Sequence, residues 1–203
     1  MDKFNSKNIK IAFLDAKTVG SDISLDKINS LGDISLYDTT SYDETIDRVK
    51  DISVVITNKV VIDKNIMDSS GIKLICVAAT GMNNIDLEYA KERGITVKNV
   101  SGYSTNSVVD ITLSMVLNLM TKISFYDNFG KNSWAGSDIF TNIDRPFSEL
   151  NGKTWGVIGL GTIGSKVANI AKAFGCNIIY YSTSGENNNK DYNREIGRAS
   201  CRE

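Results

Sequence analysis

Two features of this chain bear on chemistry, one present and one missing. The β-type run Lys153-Thr154-Trp155-Gly156-Val157-Ile158 leads into Gly159-Leu160-Gly161-Thr162-Ile163-Gly164. Glycines at this spacing between a strand and a helix suit the holding of a pyrophosphate. Gly159 permits the tight turn, Gly161 lets the backbone approach the phosphates, and Gly164 lets the helix pack close to the strand. Thr162 and Ile163 supply the first helical amides, at the positive end of the helix. The competing reading is a tight structural turn with no ligand. Context favours the dinucleotide: a β-type run precedes the turn, an amphipathic helix follows, and Asn177-Ile178-Ile179-Tyr180-Tyr181 then completes a βαβ unit. The missing feature is histidine, which the chain lacks altogether. The usual proton donor to a carbonyl near neutral pH is therefore absent, and no carboxylate–histidine pair can be built.

The second strand of such a unit usually ends in a carboxylate that takes the adenosine ribose hydroxyls. Here the position falls on Ser182. Serine offers one hydrogen bond and does not repel a 2′-phosphate, so NAD is expected and NADP is admitted beside it. The plainer alternative is that Ser182 merely opens a loop and that Glu186 or a water serves the ribose.

Composition sets outer bounds. Lys and Arg number 23 against 24 Asp and Glu, a formal charge of -1 that gives no electrostatic reason to expect nucleic acid or an anionic membrane. The three cysteines, Cys76, Cys176 and Cys201, lack CxxC spacing, so neither a disulfide framework nor a zinc site is indicated. Cys76 reads as a buried small hydrophobe. Met1 to Asn8 is polar, without the apolar core of a signal peptide. The apolar stretch Val108 to Ile123 is interrupted by Asp110, Thr112, Ser114, Asn118, Thr121 and Lys122, and falls short of a membrane span. A cytoplasmic location is the expectation.

These motifs need a frame. Strand-like runs at 9–14, 34–37, 54–56, 74–79 and 95–97 alternate with short helical patterns at Leu25–Leu31 (Gly32 as C-cap), Ile46–Val49, Ile62–Met67 and Leu87–Arg93 (closed by Gly94). This rhythm predicts a small parallel α/β sheet with helices on both faces and right-handed crossovers. A long helix is expected over 107–123, capped by a Ser107/Asp110 box. Val108, Ile111, Met115, Leu119 and Ile123 form one stripe, widened by Leu113, Val116, Leu117 and Met120. A helix this apolar around its circumference is expected to be buried, joining two domains. The segment 125–147 holds Trp134, Phe140, Phe147 and the lone Pro146, and reads as a structured arm that either wraps its own domain or reaches a second subunit. Ile163, Val167, Ile170, Ala171 and Phe174 then mark a helix ended by Gly175.

Three motifs in order give the chain its resemblance: Ala79-Thr80-Gly81-Met82-Asn83-Asn84-Ile85-Asp86, then Asn99-Val100-Ser101-Gly102-Tyr103-Ser104-Thr105-Asn106-Ser107-Val108-Val109-Asp110, then Leu150-Asn151-Gly152-Lys153-Thr154 running into the glycine turn. From about Ile9 to Tyr192 the chain resembles the D-isomer-specific 2-hydroxyacid dehydrogenases, with a slight lean toward the glycerate dehydrogenase (hydroxypyruvate reductase) members. The resemblance implies a flavodoxin-like substrate domain over 1–100. It implies a Rossmann nucleotide domain begun at 101–194 but incomplete, and a homodimer in the full-length protein. The substrate carboxylate would meet amides around Ala79, Thr80 and Gly81, with Asn58 near the same cleft. Thr105, Ser107 and Val108 would approach the nicotinamide, Thr162 and Ile163 the pyrophosphate. Asp110 stands where the family usually has Glu.

The family's catalytic Arg, Glu and His would all lie beyond this chain, which agrees with the missing histidine. Residues 195–203 lack periodicity and resemble an in-frame reading of a sequencing adapter, so they are set aside as a non-native tail. The chain as it stands is expected to be inactive and poorly folded. The expected reaction of a complete protein is reversible hydride transfer between NAD(P)H and a small 2-oxo acid such as hydroxypyruvate or glyoxylate. The rival from another class is a non-catalytic NAD(H)-binding regulator or scaffold, similar to the C-terminal-binding corepressors.

Overall fold

Five strands of four residues build the first sheet: β1 (Lys10–Phe13), β2 (Asp33–Leu36), β3 (Val54–Thr57), β4 (Leu74–Val77) and β5 (Thr96–Asn99). In the computed structural model, which describes residues 9–182, 184, 185, 189 and 191–194, they pair in the order β2-β1-β3-β4-β5. Every pairing is parallel, as the strand–helix alternation predicts. Met1 to Asn8, Glu186 and the 195–203 tail with Cys201 lie outside the described residues. The chain divides into two units between Tyr103 and Ser104.

In the first unit the connections are α1 (Asp26–Asn29), α2 (Tyr42–Val49), α3 (Lys64–Asp68) and α4 (Leu87–Glu92). Alternation along β3 and β4 sends Val55, Ile75 and Val77 to one side, where they join Val49, Ile62, Ile66, Met67 and Ala90 in a single core. Val54, Ile56, Leu74 and Cys76 face the other side and, with Ile9 and Ile11, line an apolar groove that meets Ile28 of α1 and Leu31 just after it. The expectation of helices on both faces is thus met unevenly. Cys76 is half-buried on this groove, not the fully buried small hydrophobe expected, and its partial burial pushes the thiol above its usual pKa. α2 is opened by a capping box in which the Glu44 carboxylate accepts from the Ser41 amide and hydroxyl, both at 2.8 Å.

Gly32 does not cap α1. That helix ends at Ser30, and Gly32 instead lies where a Cβ would sit 2.3 Å from the Ile9 carbonyl oxygen. The absent side chain lets β2 start against β1, with the Asp33 amide donating to Ile9 O at 2.8 Å. Gly32→Ala is expected to cost about 1–3 kcal/mol by overpacking, lowering Tm by at least about 2 °C. Gly71→Ala, where the nearest atom is 3.8 Å away, should leave Tm nearly unchanged in the same melt.

The second unit carries α5 (Thr105–Thr121), α6 (Ile123–Asn132), β6 (Thr154–Ile158), α7 (Thr162–Ala173), β7 (Asn177–Tyr181) and β8 (Asn193–Arg194). Its strands are again parallel, in the order β6-β7-β8. The core gathers Leu150, Val157, Leu160, Ala168, Ala171, Cys176, Ile178 and Tyr180, with Val116, Leu117 and Met120 of α5 packed against it. Val157 and Ile178 are buried, whereas Ile158 is 73% exposed.

The long helix departs from its sequence reading in three ways. It starts at Thr105 with Ser104 as cap, so Ser107 and Asp110 already lie inside the helix and the expected Ser107/Asp110 box does not form. It stops at Thr121, because Lys122 adopts a left-handed conformation (φ 58°) and the chain turns by 62° into α6. The segment 125–147 is therefore partly helical. Nor is the helix buried: Ile111, Met115 and Leu119 are 60%, 56% and 72% exposed. The flank of Val116, Leu117 and Met120, not the stripe, meets the core. No single helix among the described residues is long and apolar enough to cross a membrane.

Candidate functional site

Parallel strands bring their following loops to one edge, and ligands bind at that edge in open α/β sheets. In the first unit the loops after β1, β3 and β4 carry Asp15, the 57–60 segment and the 79–86 segment. With sheet order β2-β1-β3-β4-β5, the chain crosses to opposite sides after β1, so Asp15 and Asn58 flank the switch point.

The Asp15 carboxylate is 4% exposed and organises this edge. It accepts from the Asn58 amide at 2.9 and 3.0 Å, the Lys59 amide at 2.7 Å and the Thr57 hydroxyl at 3.3 Å. Thr57 Oγ1 in turn accepts from the Val60 amide at 3.0 Å. Asn84 Nδ2 donates to Val60 O at 2.9 Å, and its own carbonyl accepts from the Ile62 amide, linking this loop to the one after β4. Thr80 is held at both ends, its carbonyl by Asn99 Nδ2 (2.6 Å) and its hydroxyl donating to Val100 O (3.1 Å).

The two loops therefore offer different chemistry. The amides of Asn58 and Lys59 are already committed to a carboxylate. Those of Ala79, Thr80 and Gly81 donate to no protein group among the described residues, and Thr80 and Gly81 are exposed. Consecutive free amides on a fixed loop suit an anion such as a ligand carboxylate. Asn58 is half-buried, and its Oδ1 is buried without a protein partner.

In the second unit the glycine turn joins β6 to α7. Gly159 has φ 86°, a left-handed conformation that suits glycine, and its amide donates to Tyr181 O at 2.9 Å. A Cβ on Gly164 would lie 2.2 Å from Gly159 O and 3.1 Å from Val157 Cγ1, so the helix start rests directly on the turn. A Cβ on Gly161 would meet nothing within 4 Å, leaving open space in front of the turn. The Ser165 amide makes the first helical bond, to Gly161 O at 2.8 Å, while those of Thr162, Ile163 and Gly164 have no protein acceptor among the described residues. Three free amides, the positive end of a 12-residue helix and open space fit a pyrophosphate.

Other predicted positions of this unit fall around the turn. Ser182 is buried directly after Tyr181, whose carbonyl holds Gly159. Thr105, Ser107 and Val108 occupy the first turn of α5, Thr105 buried and the other two exposed. Lys166 Nζ donates to Asn106 Oδ1 at 2.8 Å, tying that turn to the first turns of α7. No group of three or more His, Cys, Asp or Glu residues suited to a metal occurs among the described residues.

The sequence reading missed Asp15, Thr57, Asn84 and Asn99. An acid placed directly after the apolar stretch Ile11 to Leu14 was the available signal for Asp15.

The chain is similar to known proteins over most of its length. Residues 11–196 match the model of the D-isomer specific 2-hydroxyacid dehydrogenase catalytic domain. A putative 2-hydroxyacid dehydrogenase of Haemophilus influenzae is 36% identical over 85% of this chain and 55% of its own length. A hydroxypyruvate reductase of Blautia hydrogenotrophica is 31% identical over 85% of this chain and 56% of its own. Among solved structures, the D-lactate dehydrogenase of Aquifex aeolicus, complexed with NAD and lactic acid, superimposes with a TM-score of 0.72 at 25% identity, covering 89% of this chain and 53% of that one. An acyclic imino acid reductase in complex with NADPH and D-Arg gives a TM-score of 0.75 at 27% identity, covering 93% and 60%. The chain thus spans about half the length of the curated relatives it matches. By the match over residues 11–196 and the relatives above 30% identity, this chain belongs to the D-isomer specific 2-hydroxyacid dehydrogenase family.

Proposed function

We propose that the protein, at the length of its relatives, catalyses reversible hydride transfer between NAD(P)H and a small 2-oxo acid such as hydroxypyruvate or glyoxylate, forming the D-2-hydroxy acid. The glycine turn carries this reading: Gly161 faces open space and three helix-start amides await acceptors. Residues Gly159 to Gly164 would hold the pyrophosphate, with Ser182 beside the adenosine ribose and Thr105 to Val108 toward the nicotinamide. When bound, the cofactor supplies or receives the hydride. The amides of Ala79, Thr80 and Gly81 would bind the substrate carboxylate, and Asn58 would stand close by. The proton on the product oxygen must come from elsewhere, because this chain has no histidine. By the family resemblance a His, oriented by a Glu, would donate it, while an Arg would bind the substrate carboxylate and carbonyl. The 203-residue chain alone should therefore give no turnover.

The protein is proposed to be a homodimer. The stripe Ile111, Met115, Leu119 and Ile123 runs exposed along α5 and into α6, and Phe140 in the arm is 88% exposed. An apolar stripe rimmed by polar residues marks an association surface, and a second copy presents the same stripe. A cytoplasmic location goes with this proposal.

Cofactor preference is testable at Ser182. In the full-length enzyme, Ser182→Asp is expected to raise the NADH over NADPH preference in kcat/KM by about tenfold or more, since the carboxylate pairs with ribose hydroxyls and repels a 2′-phosphate. An unchanged ratio would place Ser182 away from the ribose. The proposed reaction itself is tested by following NADH oxidation with pyruvate, glyoxylate and hydroxypyruvate.

A further inference from the structure

We propose that Asp15 is a positioning residue of the acid-binding edge, fixing the 57–60 loop and through it Asn58, without itself touching substrate. The inference rests on the functional reading above, and it concerns a residue that reading does not use.

Asp15 is a buried carboxylate whose hydrogen-bond partners among the described residues are two consecutive backbone amides and one hydroxyl, all from residues 57–59. A buried charge is costly unless hydrogen bonds satisfy it, so the loop and the carboxylate hold each other. Both Asp15 oxygens are used: Oδ1 takes the Asn58 amide, and Oδ2 takes those of Asn58 and Lys59 with the Thr57 hydroxyl. Asn58 therefore has its main chain pinned at its own amide. Its side-chain Oδ1 is the one buried polar side-chain atom without a partner among the described residues. A buried acceptor without a donor in a native protein calls for an explanation, and a ligand O–H or N–H at the adjoining edge is one. Asp15 then decides where that acceptor stands. The same clasp reaches the loop of Thr80 and Gly81 through Val60 and Asn84.

Asp15→Asn keeps the shape but replaces one acceptor oxygen with an NH2, which faces amide N–H groups donor to donor. In the full-length enzyme it should raise KM for the 2-oxo acid about tenfold, as expected for one lost polar contact, with kcat and KM for NADH changed less than about twofold. Thr57→Val, which removes the hydroxyl and keeps the volume, should raise the same KM by a smaller factor. It serves as the test should Asp15→Asn fold poorly. Because Asp15 acts through Asn58, Asp15→Asn introduced into Asn58→Ala should add less than about threefold to KM, a non-additivity that mere destabilisation would not produce. Val55→Ala, a core change on β3, should lower Tm without moving KM. An unmoved KM in both Asp15→Asn and Thr57→Val, or full multiplication of effects in the double variant, would overturn the inference while leaving the dehydrogenase reading intact. A wild-type enzyme without turnover on any 2-oxo acid would overturn that reading and this inference with it.

Discussion

Gly164→Ala is expected to abolish measurable NADH binding by the full-length enzyme and to cost stability as well. Its Cβ would stand 2.2 Å from Gly159 O, a backbone atom that can move only if the turn moves. Overpacking of this kind costs about 1–3 kcal/mol, and the displaced turn would no longer aim the amides of Thr162 and Ile163 at one point. Gly161→Ala is the informative contrast. Its Cβ meets no protein atom and φ is −81°, so the fold should tolerate it, with Tm within a few degrees of wild type. Yet that methyl occupies the space where a pyrophosphate would approach, and NADH affinity should fall at least about tenfold. Fluorescence titration of NADH beside a thermal melt separates the two outcomes. A Gly161→Ala protein that binds NADH normally would mean the open space is not the phosphate site, and the turn would revert to a purely structural reading.

The paired substitution Ile111→Asp and Leu119→Asp is expected to leave a monomer in place of the proposed dimer. Each replaces an exposed side chain of the α5 stripe, so the isolated subunit loses little. Burying either carboxylate in a subunit interface forfeits about 1.5–3 kcal/mol of apolar burial, before the cost of desolvating charge. Two such losses should weaken self-association by more than about a hundredfold. Sedimentation equilibrium of wild type and variant reads this directly. A wild type that is monomeric at every concentration, or a variant that remains dimeric, would remove α5 from the interface.

The behaviour of α5 shows what its sequence did and did not disclose. Its apolar residues cover most of the circumference, so periodicity established a helix but gave no basis for choosing which face its own unit covers. The cleaner stripe, Ile111, Met115 and Leu119, is the exposed one, and the broader flank of Val116 and Leu117 packs inside. Its bounds moved because Thr105 is buried at the start and Lys122 turns left-handed at the end, neither of which has a composition signal. Strands β1, β3 and β4 were legible because each carries a compact apolar stretch, whereas β2 and β5, which hold Asp33, Ser35, Lys98 and Asn99, were legible through the strand–helix alternation. β8, Asn193–Arg194, was not, since two polar residues paired only through their backbone carry no pattern. At the site, the glycine turn announced itself by residue type. Asp15 did not, because its importance lies in amides of a loop far along the chain, and main-chain donors leave no trace in side-chain identity.

The proposed function assigns the free amides after β4 to the substrate carboxylate and the glycine turn before α7 to the cofactor of the full-length enzyme. The most direct measurement is the configuration of the product formed by the full-length enzyme from hydroxypyruvate and NADH, read by chiral chromatography. D-glycerate, formed in step with NADH oxidation, is the expected product. Formation of L-glycerate, or no product from hydroxypyruvate, glyoxylate or pyruvate with either nicotinamide cofactor, would contradict the proposed function.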